Sequence, residues 1–398
     1  MVSFCLAFPL ADEYNGKIIS GFTLIYEDSC THFFFIVLAM HVGIHQTTAQ
    51  VTDLGIASVP GGQSLLYWPV SMTNYVLQTV TNLSSTNWIT ARTAFAVNTA
   101  EVTNLAPSGF FRLQPTTTPA GMALIPAGWF LMGDSLDGEV DAIPTNIYVS
   151  AFVMDVNLVN YGLWTNVYAY ATSHGYNFVD TGANSGTDTN YPVQSVDWFD
   201  CVKWCNARSQ QAGLTPVYYA DAGFTQVFTN GNDATTVFAN WSANGYRLPT
   251  ESEWEKAARG GGIGLRFPWG NLIHTNQAQY TYSSGYSYDL GPTNSPSGPS
   301  PAGSFDVNGY GLYDMAGNLC EWCWDWYGGP LYHKPNNINP TGPNYWLGSQ
   351  ARVLRGGNWS QSAYFARCAW RFSYIPGNPG GVPGSTGPSF GFRCVRGL

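Results

Sequence analysis

Residues 309–326 read GYGLYDMAGNLCEWCWDW, and this stretch decides the fold. Gly309, Gly311 and Gly317 interrupt its first half, while tyrosine and tryptophan rings fill much of the rest, so neither a plain helix nor a plain strand is expected. Asp314, Gly317 and Glu321 are spaced so that one loop can wrap a hard cation. Asp314 and Glu321 would give carboxylates and Gly317 and Leu319 main-chain carbonyls, the mixed oxygen set that Ca²⁺ takes. The alternative for the same residues is that Asp314 and Glu321 cap turns or pair with arginines such as Arg247.

The rest of the chain suits such a loop. Only 10% of its 398 residues are charged, against roughly 25% in an average soluble protein. Aromatics reach 15%, with 44 glycines and 24 prolines, a composition for irregular backbone pinned by large rings rather than for a helix bundle. A net charge of −9 offers no basic footprint for nucleic acid. No apolar run reaches the roughly 18 residues of a membrane span.

Residues 33–44, FFFIVLAMHVGI, precede the small residues Thr47, Thr48 and Ala49 and read as the apolar core of a secretory signal cut near Ala49 or Gln50. Residues 1–49 are therefore expected to be a leader, although 1–32 is long and carries acids where a basic flank is usual. A secreted, periplasmic or cell-surface protein follows. His41 and His45 have a metal-like spacing but fall inside this leader. Beyond it lie Cys201, Cys205, Cys320, Cys323, Cys368 and Cys394, an even set consistent with an oxidising compartment. Cys320 and Cys323 form a C-x-x-C without the second pair or histidines of a zinc site.

Residues 50–114 alternate short apolar runs with polar turns and predict a small β-sheet module, and PTTTP at 115–119 is a linker. From 120 to 398 long loops alternate with a few helices. Residues 157–173 have helical spacing. Ser195 is expected to cap a helix running to Gln211, with Asp197 in its first turn. Thr250 and Glu253 form a capping box, and Gly260 stops that helix.

Seven segments carry a resemblance to one family. They are MALIPAGWFLMGD (122–134), PVQSVDWFDCVKWCN (192–206), RLPTESEWEKAARG (247–260), FPWGN (267–271), 308–326, RVLRGGNW (352–359) and GFRCVR (391–396). In composition and order they resemble the formylglycine-generating enzyme, or sulfatase-modifying factor, family. The resemblance implies an α+β fold with little regular secondary structure, a variant of the C-type lectin scaffold that binds calcium. It places one calcium site at Asp314, Gly317, Leu319 and Glu321 and a second at Asn276, Gln277, Asp289 and Gly291. It also implies a disulfide between Cys205 and Cys394, and Cys323 with Cys368 is taken as a second bridge.

The family's oxidase chemistry is not expected to carry over. The resemblance implies copper(I) held by two cysteine thiolates just after the RGG-S/N-W segment, soft ligands that suit Cu(I). Here RGGNW is followed by SQSAYFAR, and no cysteine lies between Cys323 and Cys368. Cys320 stands where the oxidases have tryptophan, a candidate reactive thiol that cannot chelate copper alone. A second catalytic branch uses iron held by three histidines, yet His174, His274 and His333 are widely separated. The expectation is an exported, calcium-stabilised domain that binds a protein, peptide or glycan through a groove at Trp359, Gln361, Trp370 and Arg371. A divergent oxidase that converts a sulfatase cysteine to formylglycine is the alternative.

Overall fold

The computed structural model describes residues 118–397 except 187, 234–235, 292–295, 329–336, 344–349 and 381–389, and before them only the backbones of seven strands and their pairing. The apolar run 33–44 and His333 lie outside the described residues. The chain divides into two compact units, Met1–Thr117 and Thr118–Leu398.

In the first unit, β1 (Leu6–Ala7), β4 (Tyr75–Val80), β5 (Ile89–Thr90) and β7 (Phe110–Pro115) form one sheet in the order β1-β7-β4-β5. A second sheet has the order β2-β3-β6, from β2 (Gly55–Val59), β3 (Gln63–Tyr67) and β6 (Thr99–Val102). Every pairing is antiparallel.

The second unit opens and closes on the same sheet. β11 (Phe152–Asp155) is flanked by β8 (Met122–Ile125) and β18 (Val395–Gly397), so Val153 pairs with Leu124 on one side and Arg396 on the other. β9 (Gly128–Met132) and β10 (Thr145–Val149) form a separate pair, as do β12 (Tyr218–Tyr219) and β13 (Phe238–Ala239). The largest sheet has the order β16-β15-β14-β17, built from β14 (Cys320–Trp326), β15 (Arg352–Arg355), β16 (Phe372–Tyr374) and β17 (Phe390–Gly391).

Among the described residues there are three α-helices and a 3-10 turn, Ala363–Ala366. α1 (Tyr161–Ser173) is capped by Asn160, whose side chain accepts from the Leu163 amide. α2 (Trp198–Gln211) departs from the sequence reading, because Asp197 rather than Ser195 is its cap and accepts from the Asp200 amide. Ser195 instead takes a φ of 55°, a turn that redirects the chain into the helix. α3 (Glu251–Ala258) has the expected capping box of Thr250 and Glu253.

Residues 309–326 divide into a loop and the seven-residue strand β14, so the segment as a whole is neither a plain helix nor a plain strand. Six of the seven strand residues are buried, so aromatic β-propensity and two covered faces outweigh the absence of alternation. A register shift between Trp322 and Trp326 bends the strand. The loop before it is held by backbone. Gly317 donates to the Gly356 carbonyl at 2.7 Å and Asn318 to the Gln279 carbonyl at 2.8 Å. A Cβ at Gly317 would stand 2.3 Å from that Gln279 oxygen, and its φ is 72°, so only glycine fits.

Rings do the packing that helices do elsewhere. Trp164 of α1 and Trp204 of α2 stack with centroids 5.8 Å apart, and Phe392 meets both edge-on. Trp198, Trp322, Leu354 and Phe390 continue the same core, while Trp254, Met315, Cys323 and Cys368 belong to a second cluster.

Candidate functional site

Cys320 begins β14, and the turn after β15 carries Asn358 and Gln361 to it. The turn is tight because Gly357, at φ 68°, has no Cβ; one there would lie 2.6 Å from the Phe365 carbonyl oxygen. Asn358 Nδ2 donates to Cys320 Sγ at 3.7 Å, and Sγ faces Gln361 Oε1 at 3.7 Å. Gln361 Oε1 also accepts from the Asn358 amide at 3.1 Å. Thr281 fixes the segment from the other side, donating through its amide to the Gln361 carbonyl and through its hydroxyl to the Trp359 carbonyl. The polar groups that reach this sulfur are therefore amides.

Cys320 is wholly buried, and burial pushes its thiol up to about 12. A thiol kept protonated and closed to solvent is not a reactive nucleophile, which corrects the expectation for Cys320. Three of the four expected groove residues are interior as well. Trp359 packs with Leu158 and Leu319, and Trp370 stacks on Phe372 at 5.5 Å. Arg371 is held by Glu251 at 2.6 and 2.9 Å. A fold with few helices fills its core with rings, and buried Arg371 is paired with a carboxylate, so tryptophan and arginine here are packing residues. Gln361 alone of the four is half-buried, and beside it the half-buried Tyr364 stacks on Tyr286 at 5.6 Å. Asn358, Tyr286 and Tyr364 were missed from the sequence, since no spacing rule brings residues 286 and 364 together.

The cation loop is assembled around Asp314, at φ 56°. Its Oδ2 accepts from the Gly303 amide at 2.8 Å, whereas its buried Oδ1 has no hydrogen-bond partner. Burial raises this carboxyl to about 6, with the negative charge of Glu321 adding and the Gly303 bond and Arg393 opposing. Glu321 is bound by Arg393 at 2.7 and 2.9 Å, so it takes the arginine-paired role, with Arg393 rather than Arg247 as partner. Arg247 pairs instead with Glu253. The orphaned, buried carboxylate oxygen of Asp314 is chemically suited to a hard cation.

The second expected set is different. Asp289 is brought beside Ile273 by a bridge, close in the chain to Asn276 and Gln277. Its oxygens accept from the Tyr280 hydroxyl at 2.7 Å, the Ser283 amide at 2.8 Å and the Gly291 amide at 3.2 Å. Gln277 Oε1 accepts from the His274 amide at 3.0 Å. Protein donors thus already reach the side-chain oxygens of Asp289 and Gln277.

Among the cysteines, the Sγ atoms of Cys205 and Cys394 lie 3.5 Å apart, both buried. Cys323 and Cys368 are buried thiols of the second core cluster.

Comparison with known proteins accounts for this arrangement. Residues 107–398 match the family model described as the sulfatase-modifying factor enzyme 1-like domain. The chain is 31% identical to the formylglycine-generating enzyme of Bos taurus over 297 residues, 70% of this chain and 75% of that protein. It is 34% identical over 216 residues to a chaperone protein, LppX, of Paenibacillus barcinonensis, covering 52% of this chain and 69% of that one. Among solved structures it resembles Treponema denticola variable protein 1, with a TM-score of 0.53, 27% identity, and 69% and 94% of the two chains covered. These likenesses establish the α+β, C-type-lectin-like fold of few helices. The chain belongs to the family of the sulfatase-modifying factor enzyme 1-like domain.

Proposed function

We propose that this protein is an exported, calcium-stabilised binding member of the family that lacks its oxidase chemistry. One observation carries the reading: the single buried thiol Cys320 is met by the amides of Asn358, in RGGNW, and Gln361, in the segment after it, and among the described residues by no second sulfur. Residues 324–367 contain no cysteine, so the segment after RGGNW supplies none. Amide oxygen and nitrogen are hard, neutral ligands that hold Cu(I) poorly. That one relative is called a chaperone protein while others are called formylglycine-generating enzymes is consistent with a scaffold used for both purposes.

The ligand is a protein, peptide or glycan, and the face that meets it is the partly exposed run of Gln361, Tyr364 and Tyr286 rather than the interior tryptophans. Calcium, where bound, supplies positive charge that closes the loop; Asp314 and the carbonyls of Gly317 and Leu319 would hold it, with Glu321 shared with Arg393. Export accords with the apolar run 33–44 and the even set of cysteines beyond it.

The test is incubation of the full chain, copper(I) and oxygen with a peptide bearing Cys-x-Pro-x-Arg, read by trapping the aldehyde. No aldehyde is expected. Aldehyde formation that is lost in Cys320→Ser would establish the divergent oxidase instead. Copper uptake by itself is a poorer readout, because the reduced Cys205 and Cys394 could chelate the ion away from this pocket.

A further inference from the structure

The start of α2 gathers negative charge that the binding face does not use. Asp180 comes from the loop after α1, Asp197 is the helix cap and Asp200 stands in the first turn. One oxygen of each lies within 4.8 Å of the other two. Asp197 is wholly buried; its Oδ1 accepts from the Asp200 amide at 2.7 Å, and its Oδ2 has no hydrogen-bond partner. Asp180 also has a buried Oδ2 without a partner. Asp200 accepts from the amides of Val179 at 3.1 Å and Asp180 at 2.6 Å.

The one cation among these groups is Lys203, whose Nζ stands 2.7 Å from Asp200 Oδ1 and also donates to the Asn177 carbonyl at 2.7 Å. The buried Cys201 thiol feels all three carboxylates and is raised well above its usual range, by burial first and then by those charges. One ammonium against three carboxylates leaves an excess of two negative charges when all are ionised. In a buried setting such an excess is costly unless a proton or a counter-charge enters. Two orphaned oxygens on different residues mark where it would sit.

We propose that Asp180, Asp197 and Asp200 form a Ca²⁺ site separate from the Asp314 loop. The Oδ2 atoms of Asp180 and Asp197 are its charged ligands, Asp200 gives a third oxygen, and water completes the shell beside the half-exposed Asp180. Ca²⁺, at about 2.3–2.6 Å from each ligand, accepts such an irregular set of carboxylates and water, whereas Mg²⁺, at about 2.0–2.1 Å, demands near-ideal octahedral geometry. The ion ties the segment after α1 to the start of α2. That segment is already seated on the core, because Trp164 Nε1 donates to the Thr181 carbonyl at 2.9 Å.

The test is equilibrium dialysis of the full chain, stripped with chelator, against radioactive calcium at neutral pH. Asp180→Asn with Asp197→Asn is the informative variant, since asparagine caps a helix as well as aspartate does. It is expected to bind one ion fewer per chain than the parent, and to do so equally in an Asp314→Asn background, which separates this site from the loop and from the binding reading. Unchanged stoichiometry overturns the proposal. So does a parent as stable in chelator as in calcium with a variant more stable than either, the behaviour of carboxyls neutralised by protons. Should that variant not fold, Lys203→Met decides: removing the competing ammonium is expected to tighten calcium binding about tenfold, and unchanged affinity overturns the site. Equal displacement by Mg²⁺ would overturn the choice of ion.

Discussion

Arg393 grips Glu321 through two hydrogen bonds of 2.7 and 2.9 Å, with neither side chain open to solvent. Arg393 also donates to the Tyr313 carbonyl at 2.9 Å, so one guanidinium from near the C-terminus fixes both the cation loop and the strand that follows it.

Breaking that pair on one side strands a buried charge. Glu321→Gln is expected to cost about 3–5 kcal/mol, and Glu321→Met with Arg393→Met much less, because the pair then disappears together. Urea unfolding followed by tryptophan fluorescence reads both. A single substitution that costs under about 1 kcal/mol would mean the pair is solvated in solution.

Asp314 predicts a pH dependence of definite sign. Its folded-state carboxyl is raised from 3.8 to about 6, so without calcium the folded form holds a proton that the unfolded chain has released. Stability from this group is fully present below about pH 4, falls as pH rises to about 6, and is level above; the loss is about 3 kcal/mol. Asp314→Asn should abolish it, and the difference between parent and variant isolates it from other carboxyls. Added calcium should cancel the loss by favouring the ionised form. A parent-minus-variant profile flat between those limits in chelator would contradict this account.

Cys205 and Cys394, buried with sulfurs 3.5 Å apart, are placed to oxidise to one another. The bond would close a loop of 189 residues, and its reduction is expected to lower stability by about 3–5 kcal/mol. Mass spectrometry should find the chain purified under oxidising conditions lighter by the hydrogens of the pair, with the cross-linked peptides spanning these two residues. Reductant should then lower Tm in the parent and leave Cys394→Ala unmoved.

Local chemistry was legible wherever partners lie close in the chain. The capping box at Thr250 and Glu253, the helix over 161–173 and the glycine-broken loop before β14 all follow from short-range rules. The missing thiolate pair was equally plain, because absence of a residue type needs no coordinates. The α2 cap was misassigned by two positions, since Ser195 and Asp197 are both good caps and the turn at φ 55° that chooses between them is tertiary.

What the amino-acid order determined by itself was the family, the fold class and the absence of cysteine from residues 324–367. Tertiary structure decided which charges meet and which rings face inward: Glu321 with Arg393, Arg371 with Glu251, Trp359 and Trp370 in the core, Asp180 beside Asp197. The reason is physical. Backbone preference and residue chemistry act within a few positions, but burial and ion pairing depend on elements up to hundreds of residues apart that come together only when the whole domain closes.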